Sequence, residues 1–220
     1  MKELSAMEVR VLGSLMEKEL TTPEQYPLTL NALTNACNQK SNRFPVVTYE
    51  TSEVKAAVEG LCAKTLAIGS DIPGSRVRKY RHFFTDRFKL VPEEAAILCE
   101  LLIRGPQTVG ELRTHASRMH PFTELSTIDK HLDDLMDVSP PWVCLLPKQP
   151  GKKEQRYMHL LMGPPDPAEW AVAEEEKGAT AGSGSSLQTR VTQLEAEIIG
   201  LRQDVQRLQE TFEQFRSQFE

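Results

Sequence analysis

The stretch Arg76-Val77-Arg78-Lys79-Tyr80-Arg81-His82-Phe83 decides how the first half of this chain is read. It alternates as a strand does, with Arg76, Arg78 and Tyr80 on one face and Lys79, Arg81 and Phe83 on the other. Pro73-Gly74 just before it signals a turn, and Leu66-Ala67-Ile68 before the turn reads as the partner strand. Outward from this hairpin, a helix from about Thr51 buries Val54, Val58 and Leu61. The helix before that carries Leu30, Leu33 and Cys37 on its apolar face. The first helix opens on a capping box, Ser5 with Glu8, and continues with a Val9, Leu12, Leu15, Met16 stripe until Thr21-Thr22-Pro23 stops it. Three helices followed by a two-stranded hairpin is the order of a winged helix.

The same order then recurs. A shift of 86 places Leu4, Glu8, Val11, Leu12, Leu15 and Met16 on Leu90, Glu94, Ile97, Leu98, Leu101 and Leu102. A shift of 74 places Val54, Val58 and Leu61 on Ile128, Leu132 and Leu135, and a shift of 77 places Tyr80 and His82 on Tyr157 and His159. The second hairpin runs from Trp142–Leu146 through Pro150-Gly151 to Gln155–Leu160, and the second copy has a shorter connection ahead of its third helix. The expected fold is α+β, mainly α with small β-wings: two tandem winged-helix domains over residues 1–88 and 89–163, an acidic and Gly/Ser-rich linker over 164–186, and a coiled-coil helix over 187–220.

The coil rests on heptads. Val191, Ile198 and Val205 take a, and Leu194, Leu201 and Leu208 take d, with Phe212 and Phe215 continuing the step of four and three. β-Branched a with Leu at d favours a parallel two-stranded coil, so these eight residues are the expected dimerisation surface of a homodimer. Arg190 at g faces Glu195 at e of a partner, and Glu197 faces Arg202, which supports that pairing.

Bulk composition narrows the function classes. Aromatics are 6% of the chain, too few for a stacking platform for single strands. Cys37, Cys62, Cys99 and Cys144 are scattered among apolar neighbours without metal-ligand spacing and read as small buried hydrophobes in a reducing compartment. The N-terminus lacks an apolar h-region and no stretch is long enough to span a bilayer, so a cytoplasmic protein without membrane contact is expected. The net charge of −5 hides an uneven spread: residues 40–90 hold ten Lys/Arg against five acids, and residues 164–220 hold five against eleven. A basic middle suits a polyanion.

Asn31, Asn35 and Asn38 recur at i, i+4, i+7 and share a helix face, which leads into a loop with Lys40, Asn42 and Arg43. With Arg76, Arg78, Lys79 and Arg81 of the wing, these residues are the expected nucleic-acid surface. The competing reading of the asparagines is that they tie a turn to backbone groups. The third helices argue against insertion into a groove, because Glu53 opens the first and Asp129, Asp133 and Asp134 line the second. Glu53 also reads as a favourable charge at a helix start.

Thr21-Thr-Pro-Glu-Gln-Tyr-Pro-Leu28, Asn35-Ala-Cys-Asn-Gln-Lys-Ser-Asn-Arg43, Arg104-Gly-Pro-Gln-Thr108 with Gly110-Glu-Leu-Arg113, and Arg156-Tyr-Met-His159 resemble the YceH-like bacterial proteins over residues 4–162. That resemblance implies a tandem winged-helix fold and carries no activity with it. Phe44 departs from the family pattern, which usually has an acidic residue there.

The expected function is that of a homodimeric DNA-binding protein of the transcription-regulator type. The alternative is a protein-interaction scaffold without nucleic acid. Catalysis is not expected, and no cofactor or metal site: there is no Gly-rich phosphate loop and no nucleophile elbow, and the five histidines are dispersed.

Overall fold

A computed structural model of the chain describes residues 3–70, 77–148 and 153–165, so the linker from residue 166 on and the heptad segment, with its eight a and d residues, lie outside the described residues. Within them the fold is α+β, with seven α-helices and two small antiparallel sheets.

Helix α1 spans Ala6–Thr21 and begins on the expected capping box, in which Ser5 and Glu8 each accept a backbone N–H from the other. A short 3-10 turn, Pro23–Gln25, leads to strand β1, Leu28–Thr29, which sequence reasoning missed because two residues carry no period. Thr29 then caps α2, Leu30–Cys37, through Ala32 N–H. Helix α3, Thr51–Ala63, starts where its stripe predicts, and Val54, Val58 and Leu61 are fully buried. Strands β2, Ala67–Ser70, and β3, Lys79–His82, pair with Gly69 opposite Tyr80, and β1 adds to the other edge of β3 with Leu28 opposite Tyr80. The return strand is shorter than its sequence suggests. Phe84–Phe88 turns into a short helix, α4, whose Phe84 is wholly buried.

The second copy repeats these parts. Helix α5 spans Pro92–Arg104, α6 spans Val109–Ala116 behind a Thr108 cap, α7 spans Leu125–Asp137, and β4, Val143–Leu145, pairs with β5, Tyr157–His159. Gln107 bridges Tyr157 where Leu28 pairs with Tyr80, a one-residue remnant of the extra strand. The turn Arg104-Gly105-Pro106-Gln107 ends α5 with Gly105 at a φ of 69°, as its residue types predict.

The copies meet through their opening helices. α1 and α5 approach closely at Gly13, where Cys99 Sγ donates to Gly13 O at 3.4 Å. Phe84 and Phe88 of α4 stack edge-on against Trp142, with ring centroids 5.3 and 4.5 Å apart. Leu4 N donates to Leu161 O at 2.8 Å. The buried side chains of both copies consequently form one continuous apolar cluster.

His82 and His159 face this core from matching strand positions, each 3% exposed. Burial pushes the His159 imidazole down to about 4 from its ordinary 6.5. A folded state that holds this ring neutral has its full benefit above pH 6.5 and loses it as the pH falls through 6.5 toward 4, a change of about 3 kcal/mol. Urea unfolding at pH 7 and pH 4.5 checks this: the His159→Phe variant is expected to lose clearly less stability over that interval than the parent.

Candidate nucleic-acid interface

The expected surface residues separate into two groups. Asn31 and Asn35 are exposed on α2, as its spacing requires once Leu33 and Cys37 are buried. Lys40, Arg78 and Arg81 are also exposed, and Lys79 is half-buried. Along β3, Tyr80 at 5% and His82 point inward, which sends Lys79 and Arg81 to the outer face. Arg78 lies just before the strand, donates to Gly69 O at 3.3 Å and sits 6.0 Å from the Tyr80 ring centroid. Thr29 pairs with Lys79, so the cationic strand begins beside the residue that caps the Asn-bearing helix. Arg76 lies outside the described residues.

The second group is tied into the fold by hydrogen bonds, with Asn42 exposed, Asn38 half-buried and Arg43 enclosed. Asn38 donates from Nδ2 to Tyr49 O at 2.9 Å and accepts from Tyr49 N at 2.8 Å, closing the ends of the segment between α2 and α3. Asn42 accepts from the Arg104 guanidinium across the joint to α5. Arg43 corrects the sequence reading outright. Its side chain is 0% exposed, it donates to both carboxylate oxygens of Glu17, and it donates to Ala36 O from Nε and Nη2. A guanidinium enclosed this way stabilises the loop from within and is withdrawn from any ligand. Arg10 helps from α1 by donating to Cys37 O at 3.1 Å and Pro45 O at 2.6 Å.

Glu17 and Arg43 belong to a buried ionic cluster at the joint. Arg118 donates from Nη1 to Glu17 Oε1 at 2.5 Å and from Nη2 to Glu100 Oε1 at 2.7 Å, linking the two carboxylates. Arg104 Nε lies 3.0 Å from Glu100 Oε2 but off the hydrogen-bond axis, so that contact is electrostatic. Glu17 and Glu100 have 1% and 0% side-chain exposure. Burial alone would raise the Glu17 carboxyl, but the hydrogen bond and charge of Arg43, then Arg118 and Lys18, reverse this and hold it down at about 2. Burial, and then the Arg43 charge, lowers Arg10 from its ordinary value.

Sequence reasoning missed this cluster, although one signal was present. Arg10, Gly13 and Glu17 recur at i, i+3, i+7 on a helix whose remaining faces are also apolar, the mark of a helix enclosed on two sides.

The third helices keep their acids at the surface. Glu53 accepts Glu50 N at 2.8 Å and so serves as a cap. Asp129, Asp133, Asp134 and Asp137 are exposed on α7, which makes the second copy a poor face for phosphate. Cys37, Cys62, Cys99 and Cys144 are free thiols raised by burial, Cys37 to about 11, which disfavours the reactive thiolate. Among the described residues, no helix is long and apolar enough to cross a membrane.

Comparison with known proteins gives consistent relatives. The family described as "Protein of unknown function, DUF480" matches residues 4–152. A UPF0502 protein of Geobacter sulfurreducens is 52% identical over 222 residues, covering 99% of this chain and 98% of its own. UPF0502 proteins of Hahella chejuensis and Azoarcus sp. are 44% and 43% identical, covering 92% and 99% of this chain and 92% and 95% of their own.

Proposed function

The chain belongs to the UPF0502 (DUF480) family, and from that premise we propose that it is a tandem winged-helix protein that binds duplex DNA as a homodimer, in the manner of a transcriptional regulator. The observation that carries this reading is the β1–β3 register. It sets Lys79 against Thr29, the cap of the helix that carries the exposed Asn31 and Asn35, while Arg78 stands at the strand entrance and Arg81 shares the outer face of β3 with Lys79. Cations beside side-chain amides suit phosphate contact with amide contacts nearby. The contact set is accordingly Asn31, Asn35, Lys40, Arg78, Lys79 and Arg81, without Arg43. The heptads of residues 187–220 support pairing of two chains, which would present two such surfaces on a two-fold site.

Fluorescence anisotropy with random duplex DNA at two salt concentrations tests the reading. Micromolar binding that weakens steeply with salt is expected. The Arg78→Ala, Lys79→Ala, Arg81→Ala combination is expected to weaken it by about tenfold or more and to reduce the log–log salt slope by up to about 3. Absence of binding at low salt, with recovery of a stoichiometric protein partner, would replace this reading with the scaffold one.

A further inference from the structure

The two copies differ in how they treat one glutamate. Glu8 and Glu94 occupy the same third position of α1 and α5, and each accepts a backbone N–H at the head of its own helix, from Ser5 and Val91. In the first copy the glutamate has a cation: Lys64 Nζ donates to Glu8 Oε1 at 2.8 Å and to Oε2 at 2.6 Å. Room for this comes from Gly60, where an added Cβ would stand 2.7 Å from Glu8 Oε1. The shift of 74 that relates α3 to α7 puts Val138 at the place of Lys64, Asp134 at the place of Gly60 and His131 at the place of Ala57. The second copy has therefore lost the ammonium and gained a carboxylate and an imidazole.

These groups converge. Glu94, His131 and Asp134 each offer one ligand atom, and all three atoms lie within 4.8 Å of one another. His131 Nδ1 is buried without a hydrogen-bond partner and stands 3.8 Å from Asp134 Oδ2. Among the described residues, no lysine or arginine pairs with Glu94 or Asp134, so two carboxylates and an imidazole share this place without the ammonium that the first copy supplies. We propose that Glu94, His131 and Asp134 bind a divalent transition-metal cation of the Zn2+ class, in the place the Lys64 ammonium holds in the first copy. One nitrogen with two carboxylate oxygens matches Zn2+ and its neighbours and disfavours Mg2+ and Ca2+, which take all-oxygen sets. Bonds of about 2.0–2.2 Å set tetrahedral ligands about 3.4 Å apart, so the groups must close by roughly 1 Å. Asp134, half exposed, has the freedom to do so. Three protein ligands leave a fourth position for water. The i, i+3 spacing of His131 and Asp134 puts both on one face of α7, and Glu94 at the head of α5 completes the set, so the ion would cross-link the two helices.

Calorimetric titration of the full chain, first stripped with a chelator, with Zn2+ and separately with Mg2+ tests the site. One Zn2+ per chain is expected, with a raised Tm and no response to Mg2+. His131→Ala and Asp134→Asn are each expected to weaken Zn2+ binding at least about tenfold. The combined His131→Ala, Asp134→Gly, Val138→Lys variant rebuilds the first copy's arrangement, and it is expected to stay folded without metal and to ignore Zn2+. No Zn2+ binding by the parent would overturn the proposal, as would binding that persists undiminished in His131→Ala.

Discussion

Glu17→Ala is expected to destabilise the fold by about 3–5 kcal/mol, measured by urea unfolding at pH 7. Removing this carboxylate leaves the enclosed Arg43 guanidinium with only backbone carbonyls, from Ala36 and Asn42, and takes one of two carboxylates from Arg118. An uncompensated buried charge is far more costly than the absence of the pair. Replacing Glu17 and Arg43 together with methionine is therefore expected to recover much of the loss. The acid limb gives an independent check. The Glu17 carboxyl is at about 2 in the fold against an ordinary 4.5. Its contribution is complete above pH 4.5 and disappears as the pH falls through 4.5 toward 2, about 3 kcal/mol in all. That window takes over where the one assigned to His159 ends, so acid should weaken the molecule continuously, with His159 carrying the upper part of the decline and Glu17 the lower. A Glu17→Ala penalty below about 1 kcal/mol would mean that water reaches the cluster.

The second large effect is at Gly13. A methyl group there would stand 2.7 Å from Ile103 Cγ2 and 2.9 Å from Leu102 Cβ. Alanine normally improves a helix over glycine by about 1 kcal/mol. Here the contact lies well inside the usual 3.5–4.0 Å carbon separation, and overpacking of about 1–3 kcal/mol outweighs that gain. Gly13→Ala is thus expected to lower the Tm, and Gly13→Val to prevent a folded product. Gly110→Ala on α6 is the control. It meets nothing closer than Thr108 Oγ1 at 3.9 Å, is exposed, and is expected to be neutral or stabilising. A Gly13→Ala protein as stable as Gly110→Ala would show that α1 and α5 can separate freely.

What the sequence reveals depends on whether a feature repeats within a few residues. The α1 cap, the α3 stripe and the Thr108 cap are local, and residue type at fixed spacing announces them. The alternation of the return strand is equally plain, but which face turns inward is settled by Tyr80 and His82 meeting the core, which no local rule reports. Arg43 misleads for the same reason. A cation in a polar loop looks solvated, and its partner Glu17 lies far away in the chain, on a helix read only for its apolar stripe. Asn38 is intermediate, since tying a turn to backbone groups is one of two uses the sequence allows its amide, and the Tyr49 backbone is the partner that only the fold names. The difference between Lys64 and Val138 was already present in the repeat alignment. It acquires chemical meaning only when Glu8 and Glu94 are seen at equivalent helix heads.

The joint between α1 and α5 also constrains how the chain is made. During synthesis the first copy emerges complete before residues 92–118 exist, and until they arrive Glu17 lacks Arg118, beyond α6, and one side of α1 lacks the cover of α5. The nascent first half is therefore an unfinished folding unit with an exposed apolar flank, the kind of surface that holding chaperones recognise. After release, both halves should open together, so that hydrogen exchange in α1 and α5 reports the same global free energy and calorimetry records a single transition with equal van't Hoff and calorimetric enthalpies.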